Sequence, residues 1–245
     1  MRVTAFLAVL AVCGVAVAQQ YPHRPVHLVI AAAPGGSTDI LGRVFAQRLT
    51  ERLGQPFIPE NRGGGGGAVA AEFVAKSAPD GYTILMSNDQ LVISAAAGAK
   101  VPYEPFRDFA PIAVVARGPV VVGVHPAFPA KSVADLIALA KANPRKYAFS
   151  SCGNGTVLHL AGELLNLQAG IDLVHLPYRG CAPAMADAVA GQVPIFFTVL
   201  PEVSERIRGF ALEPTPLGPE GLAQLMKSDY DKWRRVVREA HIKVE

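Results

Sequence analysis

The sequence predicts an α/β fold of two lobes with parallel-rich sheets, and three observations carry that reading. Apolar runs without polar alternation recur along the chain, as strands covered on both faces require. Stretches with helical apolar spacing follow them, and strand–helix alternation implies parallel sheets with right-handed crossovers. Two distant segments also share one design, in which an apolar strand enters a small glycine- and hydroxyl-rich loop and then a helix. The 245 residues leave room for two lobes of roughly 100 residues each.

Residues 1–18 read as a cleaved export signal. Arg2 gives a positive start, residues 5–17 are apolar, and Ala16-Val17-Ala18 fits a small-x-small cleavage site. The apolar run is too short for a comfortable membrane span. The mature chain is therefore expected in the periplasm or outside the cell. Strands are expected at residues 26–33, 57–59, 82–86, 112–116, 120–125, 147–151, 173–175 and 193–199. Between them, Ile40, Leu41, Val44, Phe45, Leu49 and Leu53 form one helical stripe. Val133, Leu136, Ile137 and Ala140 form a second, with Ser132 as its cap. Val157, Leu160, Ala161 and Leu164 form a third. The run at 120–125 reads as the strand leading into the second lobe. A final helix, about 219–240, has Leu222, Met226, Trp233 and Val237 on one face and starts at Gly218-Pro219. The expected organisation is a first lobe of residues 19–118 plus 212–245 and a second lobe of 119–201, joined by a junction at 202–211.

Charge is nearly balanced, with 23 Lys+Arg against 20 Asp+Glu. No basic run or aromatic-basic stripe is present, so nucleic acid is not an expected partner. Ligands in such folds bind at the carboxyl ends of the strands. The first repeated loop is Pro34-Gly35-Gly36-Ser37-Thr38-Asp39 and the second is Cys152-Gly153-Asn154-Gly155-Thr156. Such loops leave the first N–H groups of a helix aimed outward at the positive end of its dipole, which suits carboxylate or phosphate. The alternative for the first loop is an ordinary helix start, with Ser37 as cap and Asp39 complementing the dipole. Asp39 is expected to order the loop, or to bind an amino group, rather than to meet an anion. The run at 63–67 reads as a flexible turn. His159 stands four residues before Glu163, the spacing of a pair on an exposed helix face. Cys152 and Cys181, the two cysteines left after the signal, invite a disulfide in an oxidising compartment. The alternative is a pair of catalytic thiols, as in cofactor-independent two-cysteine racemases. No histidine–cysteine spacing suits zinc, and neither metal nor cofactor is expected.

These residues also carry a resemblance. Tyr21-Pro-His-Arg-Pro-Val26, Ala33-Pro-Gly-Gly-Ser-Thr-Asp-Ile40, Glu60-Asn-Arg62, Ala78-Pro-Asp-Gly-Tyr-Thr83, Gly153-Asn-Gly-Thr156, His159-Leu-Ala-Gly-Glu163, Pro177-Tyr-Arg-Gly180 and Gly191-Gln-Val193 resemble the Bug-type periplasmic solute-binding receptors of tripartite tricarboxylate transport systems. The resemblance implies a two-lobed periplasmic-binding-protein-like architecture of type II. The lobes would close over a small carboxylate and deliver it to membrane permease subunits, without enzymatic activity. Carried over, Gly35, Gly36, Ser37, Thr38 and Asp39, with Ser87 and Asn88, would face the solute from the first lobe. Ser151, Gly153, Asn154, Gly155, Thr156, Tyr178, Arg179, Gly180 and Thr198 would face it from the second. Arg179 is the cation that could meet a second carboxylate bidentately.

One departure stands out. After Leu200-Pro201 the chain runs directly into Glu202-Val203-Ser204, which resembles family sequence from much further on. A stretch on the order of 75 residues is missing by that comparison, about half a typical domain. The expected consequence is a truncated second lobe, uncovered apolar surface and an impaired receptor, or a remnant that binds nothing.

Overall fold

The computed structural model describes residues 21–35, 37–199 and 217–242. The expected export signal, Gly36, Leu200-Pro201 and the junction at 202–211 lie outside these described residues.

Strand β1, Val26–Ile30, is the centre of the first sheet. It is flanked by β2, Phe57–Asn61, and β3, Thr83–Met86, both parallel to it. A central parallel strand is covered above and below, which is why Val26, Val29 and Ile30 are all fully buried. Helix α1, Ser37–Leu53, lies against this sheet, with Leu41, Ala46 and Leu49 in the same cluster as Val26, Leu28 and Ile30. Gly42 lets it approach, because a Cβ there would stand 2.7 Å from the Ile30 side chain. A 3₁₀ turn, Gly65–Gly67, leads into α2, Ala68–Ala75, and α3, Gln90–Ala96, follows β3.

The second sheet is ordered β4-β7-β5-β6. Its strands are β4, Val120–Val124; β5, Ala148–Ser151; β6, Val174–Pro177; and β7, Ile195–Val199. β5 runs parallel to β6 and β7, whereas β4 is antiparallel to β7. The core of this lobe is Phe149, Ile195, Phe197, Leu136 and Leu158. The connecting helices are α4, Val133–Ala142, α5, Val157–Ala169, and α6, Cys181–Val189. Ser132 caps α4 by accepting from the Asp135 N–H. Gly162 brings α5 onto the sheet: a Cβ there would sit 2.3 Å from the Phe149 ring.

The C-terminal helix α7, Pro219–Glu239, starts with Pro at its first turn, where a missing N–H costs nothing. The sequence assigns it to the first lobe, and it does pack there. Trp233 and Val236 pack with Ile93 and Ala96 of α3, and also with Leu160 of α5. The helix therefore straddles both lobes in one apolar cluster.

Two sequence expectations need correction here. Residues 112–116 form no strand; Val114 makes a single antiparallel bridge to Leu217, and Ile112 is exposed. An apolar run becomes a strand only where a neighbour offers a ladder, and here the run meets one residue. The first strand stops at Ile30 rather than at residue 33, because Ala32 C=O turns out of the ladder to accept from Asn61 Nδ2.

Trp233 is 6% exposed at the junction of the three helices. Trp233→Ala is expected to cost about 3–5 kcal/mol, the usual range for emptying a large aromatic site. Urea denaturation would measure it, and a loss below about 0.5 kcal/mol, the scale of a surface substitution, would mean that α7 is not docked there.

Candidate functional site

The site residues expected from the sequence gather at the carboxyl ends of the parallel strands. On the first lobe, the chain leaves β1 through Pro34-Gly35 and enters α1. Gly35 has φ +91°, a left-handed conformation that glycine adopts freely. Its N–H donates to Asp39 Oδ2 at 2.8 Å. The other Asp39 oxygen accepts from Asn61 Nδ2 at 2.8 Å and from Arg43 Nε at 2.9 Å. The Gly35 N–H, then Asn61 and Arg43, hold this buried carboxyl below the usual carboxylate range against the opposing effect of burial. Asp39 is thus a strut of the loop with its charge already compensated. Ser37 and Thr38 are half-buried in the first turn of α1. Beyond β3, Ser87 Oγ donates to Asn88 C=O, and Asn88 Oδ1 accepts from the Gln90 N–H at 3.1 Å. The glycine run is a mostly exposed turn, and at Gly67, φ +92°, a Cβ would stand 3.3 Å from Ala31.

On the second lobe, the loop between β5 and α5 is tied at each step. Ser151 is buried, with Oγ 2.6 Å from His175 Nε2 and also bonded to Gly153. Cys152 and Cys181 form a disulfide that joins the loops entering α5 and α6. The thiol pair of the racemase-like alternative is therefore oxidised, and neither sulfur is a free nucleophile. Asn154 is exposed. The Gly155 N–H donates to His159 Nδ1 at 3.0 Å. Thr156 caps α5 by accepting from the His159 N–H and donates its hydroxyl to Gly153 C=O. Tyr178 donates its hydroxyl to Asp187 at 2.6 Å, a bond that raises the phenol, so its ring is tied to α6. Gly180, at φ +114°, donates to Cys152 C=O. Arg179 is exposed, and no side chain among the described residues pairs with it. Thr198 is buried inside the sheet, opposite Val121.

The two halves meet through Gln90. Its Nε2 donates to Gly155 C=O of the other lobe at 3.0 Å and to Ser94 Oγ at 3.0 Å. Sequence reasoning missed Gln90, whose role depends wholly on the approach of the two lobes and leaves no local signal.

His159 corrects the sequence reading. It does not pair on an exposed face; it is 5% exposed and stacks on His175, with ring centroids 3.7 Å apart. The Glu163 carboxylate stands 3.8 Å from its Nε2. The periodicity argument failed because the β6 strand brings a second imidazole, flat and apolar on its faces, over a position that looks polar. Burial pushes His159 down to about 4; burial, and then the neighbouring His159, push His175 down to about 3. Both rings are neutral at neutral pH. Burial, and then the Asp229 carboxylate, push Asp89 up to about 6, although that residue keeps an exposed outer surface.

The chain matches the family described as "Tripartite tricarboxylate transporter family receptor" over residues 41–215. It is 37% identical over 217 residues to Protein BugT of Bordetella pertussis, covering 85% of this chain and 67% of that protein. It is 39% identical over 173 residues to the UPF0065 protein in the tcbD-tcbE intergenic region of Pseudomonas sp. strain P51, covering 71% of this chain and 52% of the relative. The chain thus spans between about half and two thirds of the length of these relatives. A structure titled as that of a periplasmic transporter superposes with a TM-score of 0.74 at 32% identity, over 92% of this chain and 100% of that one. An R. palustris protein solved with adipate superposes with a TM-score of 0.77 at 26% identity, over 91% of this chain and 99% of that one. The fold is that of a two-lobed solute-binding protein with α/β sheets. The chain belongs to the tripartite tricarboxylate transporter receptor family, and the Bug proteins are among its relatives.

Two outcomes follow from this geometry. The disulfide spans a sequence separation of 29, for which chain-entropy arguments give about 3–4 kcal/mol. Reduction should lower the urea midpoint accordingly, and free-thiol titration of the unfolded, unreduced mature chain should find no thiol. Second, unfolded imidazoles take protons near 6.5 that the buried pair refuses. Stability from the neutral pair is therefore full above that pH and is lost as pH falls through about 4 and then about 3. Asp89 and Glu163, whose carboxyls are raised, act in the opposite sense. The difference between variants isolates the histidines: the urea midpoint of His175→Phe should fall less steeply between pH 6.5 and 4 than that of the wild type. Equal slopes would refute a buried neutral pair.

Proposed function

We propose that this chain is a periplasmic receptor that captures a small carboxylate between its two lobes and delivers it to membrane permease subunits of a tripartite transporter. The observation that carries the reading is the meeting of two sets of strand-end loops at the Gln90–Gly155 hydrogen bond. Family membership and the adipate bound by an R. palustris relative support it. In this reading residues 1–18 are an export signal. Residues 19–118 plus 212–245 form the first lobe, 119–201 form the truncated second lobe, and 202–211 are the junction.

The solute would lie between the loops at Gly35 to Thr38, Ser87 and Asn88 on one side and at Gly153 to Thr156 and Tyr178 to Gly180 on the other, many of whose N–H and O–H groups are already held within the loops themselves. Asp39, Ser151 and Thr198 act from behind, as buried supports. Neutral N–H donors and helix dipoles stabilise a carboxylate without fixing a strong ion pair, so the solute can be released to a permease. Arg179, exposed at the loop before α6, adds the charge that a second carboxylate would recognise. The chain is a binder and not an enzyme: its two loop cysteines are joined to each other.

Calorimetry of the mature chain against mono-, di- and tricarboxylates, adipate included, tests the proposal. Arg179→Ala should weaken a dicarboxylate about tenfold, the scale of one charged hydrogen bond, and leave a monocarboxylate nearly unchanged. Ser37→Ala with Thr156→Ala should weaken both by a few kcal/mol at most, since neutral hydrogen bonds contribute roughly 1 each. Absence of binding to any carboxylate by a cooperatively folded chain would leave the remnant reading in its place.

A further inference from the structure

The two stacked imidazoles have no counterpart in the solute contacts just described, yet both reach the loop that presents those contacts. His175 Nε2 is bonded to Ser151 Oγ, which in turn holds Gly153. His159 Nδ1 holds the Gly155 N–H. Gly155 sits at φ +69°, and its peptide is buried, so its N–H needs an acceptor. The neighbouring hydroxyls are already engaged: Thr156 Oγ1 accepts from the His159 N–H, and Ser151 Oγ serves Gly153 and His175. The imidazole is thus the acceptor for that N–H, and the ring cannot turn away because it lies 10° from coplanar with His175.

We propose that His159 is a positioning residue of the solute loop: its Nδ1 fixes Gly155, so that the loop keeps Asn154 outward and offers Gly155 C=O to Gln90 of the opposite lobe. This rests on the receptor reading for its effect on affinity, but the loop geometry can be tested without any solute. An acceptor at Nδ1 requires the ring proton on Nε2, the side facing Glu163. Among the described residues, few charged groups face the ring. Glu163 comes from its own helix and His175 from β6. β5 meets the partner ring rather than His159, through the Ser151 hydroxyl and the Phe149 ring against His175, and the neutral Gln90 amide of α3 meets the Gly155 carbonyl. Arg235 and Glu239 of α7 line the groove beside Leu164, Leu167 and Gln168 instead. Protonation of Nδ1 would turn the acceptor into a donor against the Gly155 N–H. Burial holds that event down to about pH 4, so the loop keeps its shape at neutral pH.

The test compares the mature wild type with His159→Asn, whose side-chain oxygen can occupy the place of Nδ1, and with His159→Leu, which has no acceptor. By amide hydrogen exchange, Gly155 should exchange about tenfold faster in the Leu variant, the scale of one lost hydrogen bond, and stay protected in the Asn variant. Core amides such as Ile195 should stay protected in all three. Long-range proton–nitrogen spectra should find the His159 proton on Nε2. Equal Gly155 protection in wild type and Leu variant, or a proton on Nδ1, would overturn the proposal. Should the Leu variant fail to fold, the pH profile decides: Gly155 protection must fall toward pH 4 in the wild type and not in His159→Asn. Parallel profiles would refute it. With adipate as the first probe, binding should weaken about tenfold in the Leu variant and less than about threefold in the Asn variant. If the wild type binds no carboxylate while Gly155 exchange behaves as described, the receptor reading fails and the positioning role stands.

Discussion

The arrangement depends on one apolar junction. Trp233 and Val236 of α7 pack on Ile93 and Ala96 of α3 and on Leu160 of α5. α3 follows β3 and α5 follows β5, so this packing sets the distance between the strand ends of the two sheets. Only with that distance fixed can Gln90, at the first turn of α3, reach the Gly155 carbonyl just before α5. A helix whose apolar stripe is legible in the sequence is thus what brings the two loops face to face.

Much of this was legible in the sequence, and what was legible is local. The central strands show as unbroken apolar runs because parallel sheets are covered on both faces. Ser132 announces a cap, and Pro219 announces a helix start. The Cys152–Cys181 pairing follows from two loops at one sheet edge. Asp39 read as a loop strut because a carboxylate at a helix start is more easily satisfied by its own backbone than by an anion. What escaped depends on distant partners. The run at 112–116 carries strand composition without a ladder to join. His159 lies beside the apolar stripe, and nothing in its own helix reveals that His175 arrives from β6 to cover it. Gln90 is one polar residue among many until the second lobe is opposite it.

The candidate site also shows how neutral donors are kept in position without charge. A solute carboxylate would be attracted by helix starts, and a nearby fixed cation would hold it tightly. Here the buried anion Asp39 is balanced by Gly35, Asn61 and Arg43, so its net field at the loop is small. In the second loop the disulfide and the two neutral imidazoles do the bracing. Both solutions stiffen the backbone, and in the proposed reading charge selection falls to Arg179, which is exposed at the rim.

The magnitudes of the inter-lobe contacts say how such a molecule can open. The Gln90–Gly155 hydrogen bond contributes about 1 kcal/mol, so it is easily broken. Fully exposing Ile93, Leu160 and Val236 would cost about 1.5–3 kcal/mol for each side chain, and Trp233 adds to that. Opening by peeling α7 from either lobe is therefore the expensive route. The apolar cluster around α7, more than the Gln90–Gly155 hydrogen bond, therefore holds the described parts of the two lobes together.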